Sequence, residues 1–369
     1  MRMPDLPAAP ARLAQLDGLR GLAALAVALH HVFLLFARWP LSGGPISILI
    51  NWLTAFGWTL VDLFFVLSGY VFAHVYLASG LLTTSRGRIE FAVARFARLY
   101  PLHLAALVLF AVVDRGNPAN TAAAFLSHLS LLPLAFFPFA ATSYDGAAWS
   151  LSVEAVCYVI FVVMASAGHR AVVVGTALFA GLGMVLLACY GAVGDPTVAD
   201  MLRRGFMGFF LGQGLWLARA RLARLPVVLL LAGVVGGFAM QSWLPVMPVL
   251  PLGLAAWPSA LLLALRWQVM GSRPLVWLGD RSYAIYLLNL TIILPVRQFV
   301  DASALSPVVL AALELAMVGA ILVVADWCHR GFERPVRTAL RTGALKLTGT
   351  KPFHNPYRFQ RCEVQDADS

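Results

Sequence analysis

His31 lies eleven positions after Arg20 in the stretch Asp17-Gly-Leu-Arg20 to His30-His31. In a helix, 100° per residue brings these two side chains onto one face, about 16 Å apart along the axis. Asp17 lies one turn before Arg20 and can pair with it, whereas His30 points about 80° away. An imidazole in an apolar segment is suited to moving a proton near neutral pH. The alternative is that the histidines hydrogen-bond between helices and that Arg20 and Asp17 are interfacial anchors. In Val61-Asp62 to Ser68-Gly69-Tyr70, Asp62 falls at a depth that lets it meet His31 and fix its tautomer, or pair structurally with another helix. Ser68 and Gly69 lie deeper, where small residues let a helix or a ligand approach the backbone. Arg95 and Arg98 are one turn apart, a spacing that can clamp a phosphorylated ligand bidentately; plain anchoring explains their charge but not their spacing. In Trp149-Ser-Leu-Ser-Val-Glu154-Ala-Val-Cys-Tyr158, Glu154 sits inside an apolar zone with Tyr158 four residues on. Trp149 also suits a membrane-interface belt, and Glu154 a helix N-terminal dipole contact.

These polar groups matter because so little else is polar. The chain has 369 residues, 60% apolar and 12% charged, against roughly 45–50% and about 25% in globular proteins. Apolar runs long enough to cross about 30 Å of hydrocarbon recur along the whole length. Lipid offers the backbone no hydrogen bonds, so such runs must be helices, and ionisable groups within them are costly. The pattern predicts apolar helices at 18–37, 56–79, 99–113, 149–167, 171–190, 203–219, 226–244, 250–266, 282–300 and 307–328.

The stretch 121–140 is apolar but carries Ser127, His128, Ser130, Pro133 and Pro138. If it does not cross, the loops with Arg86, Arg88, Arg170, Arg219, Arg221, Arg224, Arg266 and Arg273 and the basic C-terminal tail all lie inside, as positive-inside bias requires. The sequence thus predicts an all-α polytopic integral membrane protein with about ten transmembrane helices, one re-entrant or interfacial segment and both termini cytoplasmic. Residues 1–15 read as a cytoplasmic N-terminal segment without a cleavable signal. Residues 16–337 form the transmembrane domain, and 338–369 a cytoplasmic tail, partly disordered, that can touch membrane lipids.

The net charge of +10 sits in short loops and the tail, which excludes a nucleic-acid-binding face. Cys157, Cys189, Cys328 and Cys362 have no metal or redox spacing, so no metal is expected.

Six stretches, LDGLRGLAALAVALHH (16–31), DLFFVLSGYVF (62–72), RFARLYPLHL (95–104), WSLSVEAVCY (149–158), GDRSYAIYLLN (279–289) and ERPVR (333–337), follow one another along nearly the whole chain. In this the sequence resembles the acyltransferase-3 family of membrane O-acyltransferases, bacterial members of which decorate surface polysaccharides. One departure matters. Where that family's Ser-Tyr-x-x-Tyr-Leu motif usually continues to a histidine, this chain has Asn289, which hydrogen-bonds but does not titrate near neutrality. Some relatives carry a fused extracytoplasmic esterase-like domain; without one, the resemblance implies that the membrane domain completes transfer itself or hands over to a separate protein.

The resemblance implies transfer of an acyl group, by family habit acetyl, from cytoplasmic acetyl-CoA or another acyl-CoA to a hydroxyl of a surface or exported polysaccharide, or of its lipid-linked precursor, at the cell inner membrane. No permanently bound cofactor is expected; acetyl-CoA is a co-substrate. The donor would meet Arg20, Arg95, Arg98, Ser68 and Gly69. His31, with Asp62 and Glu154, would form the catalytic set, His31 acting as general base or as acyl carrier. Trp149, Tyr158 and Asn289 would contact the glycan acceptor, and polysaccharide-assembly proteins are candidate partners. Two other classes share the composition: a secondary transporter, which would usually show repeated halves with broken helices, and a non-catalytic partner of a polysaccharide export complex.

Overall fold

The computed structural model describes residues 11–36, 41–131, 143–191, 198–243 and 248–347. Among them every regular element is helical: α1 (Ala14–Phe36), α2 (Gly44–Phe56), α3 (Leu60–Phe72), α4 (Ser85–Val113), α5 (Ala122–Ser130), α6 (Trp149–Ala167), α7 (His169–Tyr190), α8 (Val198–Leu217), α9 (Arg219–Leu222), α10 (Val227–Trp243), α11 (Val249–Pro251), α12 (Trp257–Ala264), α13 (Arg273–Phe299), α14 (Pro307–Cys328) and α15 (Arg334–Leu347).

Among the described residues six helical stretches are long and apolar enough to cross a membrane: 14–36, 44–77, 85–113, 146–167, 169–190 and 307–343. Two apolar helices, Val227–Trp243 and Val249–Ala264, are shorter. α8 and α13 are absent from the apolar set for a chemical reason. α8 carries Asp200, Arg203, Arg204 and Gln213, and α13 carries Asp280, Arg281, Asn289 and Arg297. Several of these are buried against neighbouring helices rather than turned outwards.

The sequence-predicted boundaries shift in several places, among them α13, which starts at Arg273 rather than near 282, and α8, which starts at Val198 rather than near 203. The second apolar element starts earlier, as α2, and runs into α3 through a 3-10 turn at Gly57–Thr59. α4 starts at Ser85 rather than near 99, because the Thr84 side chain accepts from the Gly87 amide and caps the polar, Arg-rich end. α15 continues past 337, so the first residues assigned to a tail are helical and α15 packs on α4. Of the stretch 121–140, residues 122–130 form α5, which at about 1.5 Å per residue is too short to cross alone. Residues 132–142 lie outside the described residues, and so does the end of the tail from 348 onwards.

The site is positioned by two close crossings. α1 lies along α13, with Gly21 against the Gly279 amide and Leu278, and Gly279 in turn against the Asp17 carbonyl. α3 lies along α8, where a Cβ at Gly69 would strike the Phe209 carbonyl and one at Gly212 the Val66 carbonyl. Small residues permit such approach, and the gain is dispersion and backbone proximity rather than water release. Phe72, Phe91, Tyr158, Phe161 and Phe209 then pack as one aromatic group joining α3, α4, α6 and α8.

Candidate active site

His31 and Arg20 both face α13, as their spacing requires. His31 Nδ1 lies 2.6 Å from Asn289 Oδ1. The Asn289 amide is itself oriented, because its Nδ2 donates to the Ile285 carbonyl at 3.0 Å and to the Tyr286 carbonyl at 2.7 Å. Both donations consume the NH2 group, so Oδ1 must be the atom facing His31, and it can only accept. His31 Nδ1 therefore carries the hydrogen. In the neutral ring Nε2 then holds the lone pair, the state a general base needs. His31 is half-buried and Asn289 fully buried. His30 turns elsewhere: its Nδ1 donates to the Leu53 carbonyl at 2.7 Å, which ties α1 to α2.

Asp62 does not meet His31, contrary to the expectation from depth. Its carboxylate is held by Arg204 of α8, Nε to Oδ1 and Nη2 to Oδ2, each 3.0 Å. Both residues are buried. The guanidinium lies over Trp58 at 4.6 Å and Trp149 at 4.9 Å, with Asp200 4.0 Å away. A carboxylate out of water needs a paired, hydrogen-bonded cation, and only Arg204 supplies one here among the described residues. Trp149 accordingly packs on Arg204 and on Phe65. Arg204 was missed because, at the start of the helix expected over 203–219, it reads as a charge left at the outer membrane face. The signal was Asp200 and Arg204 four residues apart, one face of a helix.

Arg20 is held in a network at the start of α13. It pairs with Asp17 at 2.8 Å, as its spacing suggested, and donates to Ser282 Oγ and the Gly279 carbonyl. Arg12 extends this network to Asp17 and Asp280. The GDRSY stretch thus fastens the start of α13 to α1.

Glu154 accepts from Ser68 Oγ at 2.5 Å. The Tyr158 ring stacks on Phe72 at 4.3 Å, and the Arg95 guanidinium lies 5.0 Å from the Phe72 centroid and 5.8 Å from that of Tyr76. Tyr158 is in electrostatic reach of both Glu154 and Arg95. Gly69 lies against the Phe209 carbonyl at the α3–α8 crossing. Arg98 is in electrostatic reach of Glu333 and Tyr283. Glu333 and His329 bond at 3.0 Å within a π turn, His329–Glu333, between α14 and α15.

Tyr286 links the two halves of the site. One turn before Asn289, its hydroxyl donates to the Ala147 carbonyl at 2.9 Å and lies 3.0 Å from Ser150 Oγ. Beside it in sequence, Asp145 is fully buried with neither carboxylate oxygen hydrogen-bonded to a described side chain. Burial pushes its carboxyl up to about 8. Among the described residues no group of three or more His, Cys, Asp or Glu could hold a metal ion.

An imidazole with a fixed tautomer on a membrane-type helical scaffold is an arrangement able to take up and return a proton. The model of the acyltransferase-3 family, described as an acyltransferase domain, matches residues 13–327. The chain belongs to that family. It is also similar to a protein of Rhizobium radiobacter described as Protein 2 in picA locus, 36% identical over 153 residues, which covers 34% of this chain and 74% of that protein. No solved structure matches.

Proposed function

We propose that this acyltransferase moves an acyl group, most simply acetyl, from acetyl-CoA to a hydroxyl of a surface or exported polysaccharide or its lipid-linked precursor. The observation that supports it best is the His31–Asn289 pair, which leaves Nε2 unprotonated. The acceptor hydroxyl gives its proton to Nε2 as its oxygen bonds to the thioester carbonyl carbon. The carbon–sulfur bond then breaks, and the imidazolium returns the proton to the departing thiolate. Arg95 and Arg98 hold the donor's phosphates, a task for which the bidentate guanidinium is suited. Arg20, with Nε and Nη2 engaged by Ser282, Gly279 and Asp17, holds the scaffold. Glu154 and Ser68 orient the acceptor or share its proton. The protein resides in the cell inner membrane with about ten crossings, the donor entering from the cytoplasm, where both termini lie.

The test is a membrane-vesicle assay with labelled acetyl-CoA and isolated glycan. Wild type transfers label to polymer; His31→Ala inserts and expresses but transfers none. Label retained in the His31→Ala polymer overturns the scheme, and solute uptake without labelling identifies a transporter.

A further inference from the structure

The inner end of α4 meets α15 in a group of like charges. Arg337 is in electrostatic reach of Arg98, Arg95 and Arg341, and Arg341 is in reach of Arg95. α15 packs along α4, and all four arginines are half-buried. Residues 337 and 341 are four apart, so they share a face of α15 just as 95 and 98 share one of α4. Two acids lie among them, each shared with another group: Glu333, 3.8 Å from Arg337 and in reach of Arg98, also bonds His329 at 3.0 Å, and Glu90, in reach of Arg341, also pairs with Arg86 at 3.0 Å. Guanidinium groups brought together out of bulk water repel one another. A fold keeps such an arrangement where an anion with several oxygens spreads across it.

We propose that Arg337 and Arg341 of α15 complete, with Arg95 and Arg98 of α4, a four-guanidinium site for a group carrying more than one phosphate. This rests on the acyltransferase reading and extends it. The donor would be recognised through its polyphosphate by two separate helices, and α15 would be part of the donor site rather than a tail. The same chemistry is met by a phospholipid headgroup, and the experiment separates the two sources.

The full chain is reconstituted in nanodiscs of phosphatidylcholine alone, or with a share of phosphatidylglycerol, and binding of coenzyme A and of pantetheine is measured. Arg337→Ala and Arg341→Ala each weaken coenzyme A binding about tenfold and flatten its salt dependence, while pantetheine binding is unchanged. Arg337→Lys, which keeps the charge but not the fork, weakens it by a smaller factor. Arg334→Ala, an exposed charge on the same helix, leaves it unaltered. Equal coenzyme A affinity in wild type, Arg337→Ala and Arg341→Ala overturns the inference alone. So does an equal loss in Arg334→Ala, which would mean a diffuse field. Variants that lose phosphatidylglycerol dependence but keep coenzyme A affinity show a lipid site and overturn it too. Wild type that binds no coenzyme A overturns the underlying reading with it.

Discussion

At the scale of single residues, the imidazole of His31 is useful only if its hydrogen stays on Nδ1. Asn289 enforces this through one accepted bond, its own amide being fixed by two helix carbonyls. Asn289→Leu is therefore expected to lower acyl transfer about 100-fold, the smaller end of what a positioned base contributes. Thermal unfolding should shift little, because the leucine fills similar space; vesicle labelling against melting temperature checks both. Asp145 gives a second expectation, from its buried carboxyl. Its pKa in the fold is about 8 against 3.8 unexposed to the fold, so between those values the native state binds more protons than the unfolded one. Stability then falls as pH rises from about 4 to about 8 and levels above. Asp145→Asn should flatten that slope in a pH series of melting temperatures; an unchanged slope assigns it to other groups. That His31 and Arg20 share a face of α1, the one that looks onto α13, was legible from spacing alone. The partner of His31 was not, because depth along a helix says which residues share a layer but not which neighbour faces which.

At the scale of elements, the Asp62–Arg204 pair is the polar stitch of the α3–α8 crossing, flanked by the contacts of Gly69 and Gly212. Removing one partner strands a buried charge. Asp62→Ala should cost about 3–5 kcal/mol of stability, whereas Asp62→Leu with Arg204→Met should recover most of it. Unfolding midpoints of the single and double variants decide the matter. A double variant that is stable yet inactive would return a chemical role to Asp62. Most helices were legible because an apolar run of sufficient length has no other structure open to it in lipid. The ends of α4 and α13 were not, because both begin in polar residues that hydropathy discards: Ser85 to Arg98 and Arg273 to Arg281. Those same polar ends carry Arg95, Arg98 and the Gly279–Ser282 contacts. The criterion that finds the helices therefore trims away part of the site.

At the scale of the whole molecule, the crossing count depends on three segments: 121–140, α8 and α13. α8 and α13, expected over 203–219 and 282–300, fall outside the long apolar set because of their polar residues, yet each lies along an apolar neighbour, α3 and α1. Polar residues buried against protein do not face lipid, so both helices can span at little cost. The positive-inside argument then makes a sharp forecast for single cysteines in a cysteine-free background, labelled by a membrane-impermeant maleimide. Arg115→Cys and Ala304→Cys, both exposed, should react from the outer face. Arg170→Cys, Arg221→Cys and Arg273→Cys, also exposed, should react only from the inner face. Each possible error has its own signature. Outer labelling at 170 means that 121–140 crosses. Inner labelling at 170 with outer labelling at 221 means that α8 does not. Inner labelling at both 273 and 304 means that α13 does not, which would leave Asn289 on a helix that never passes His31 within the membrane.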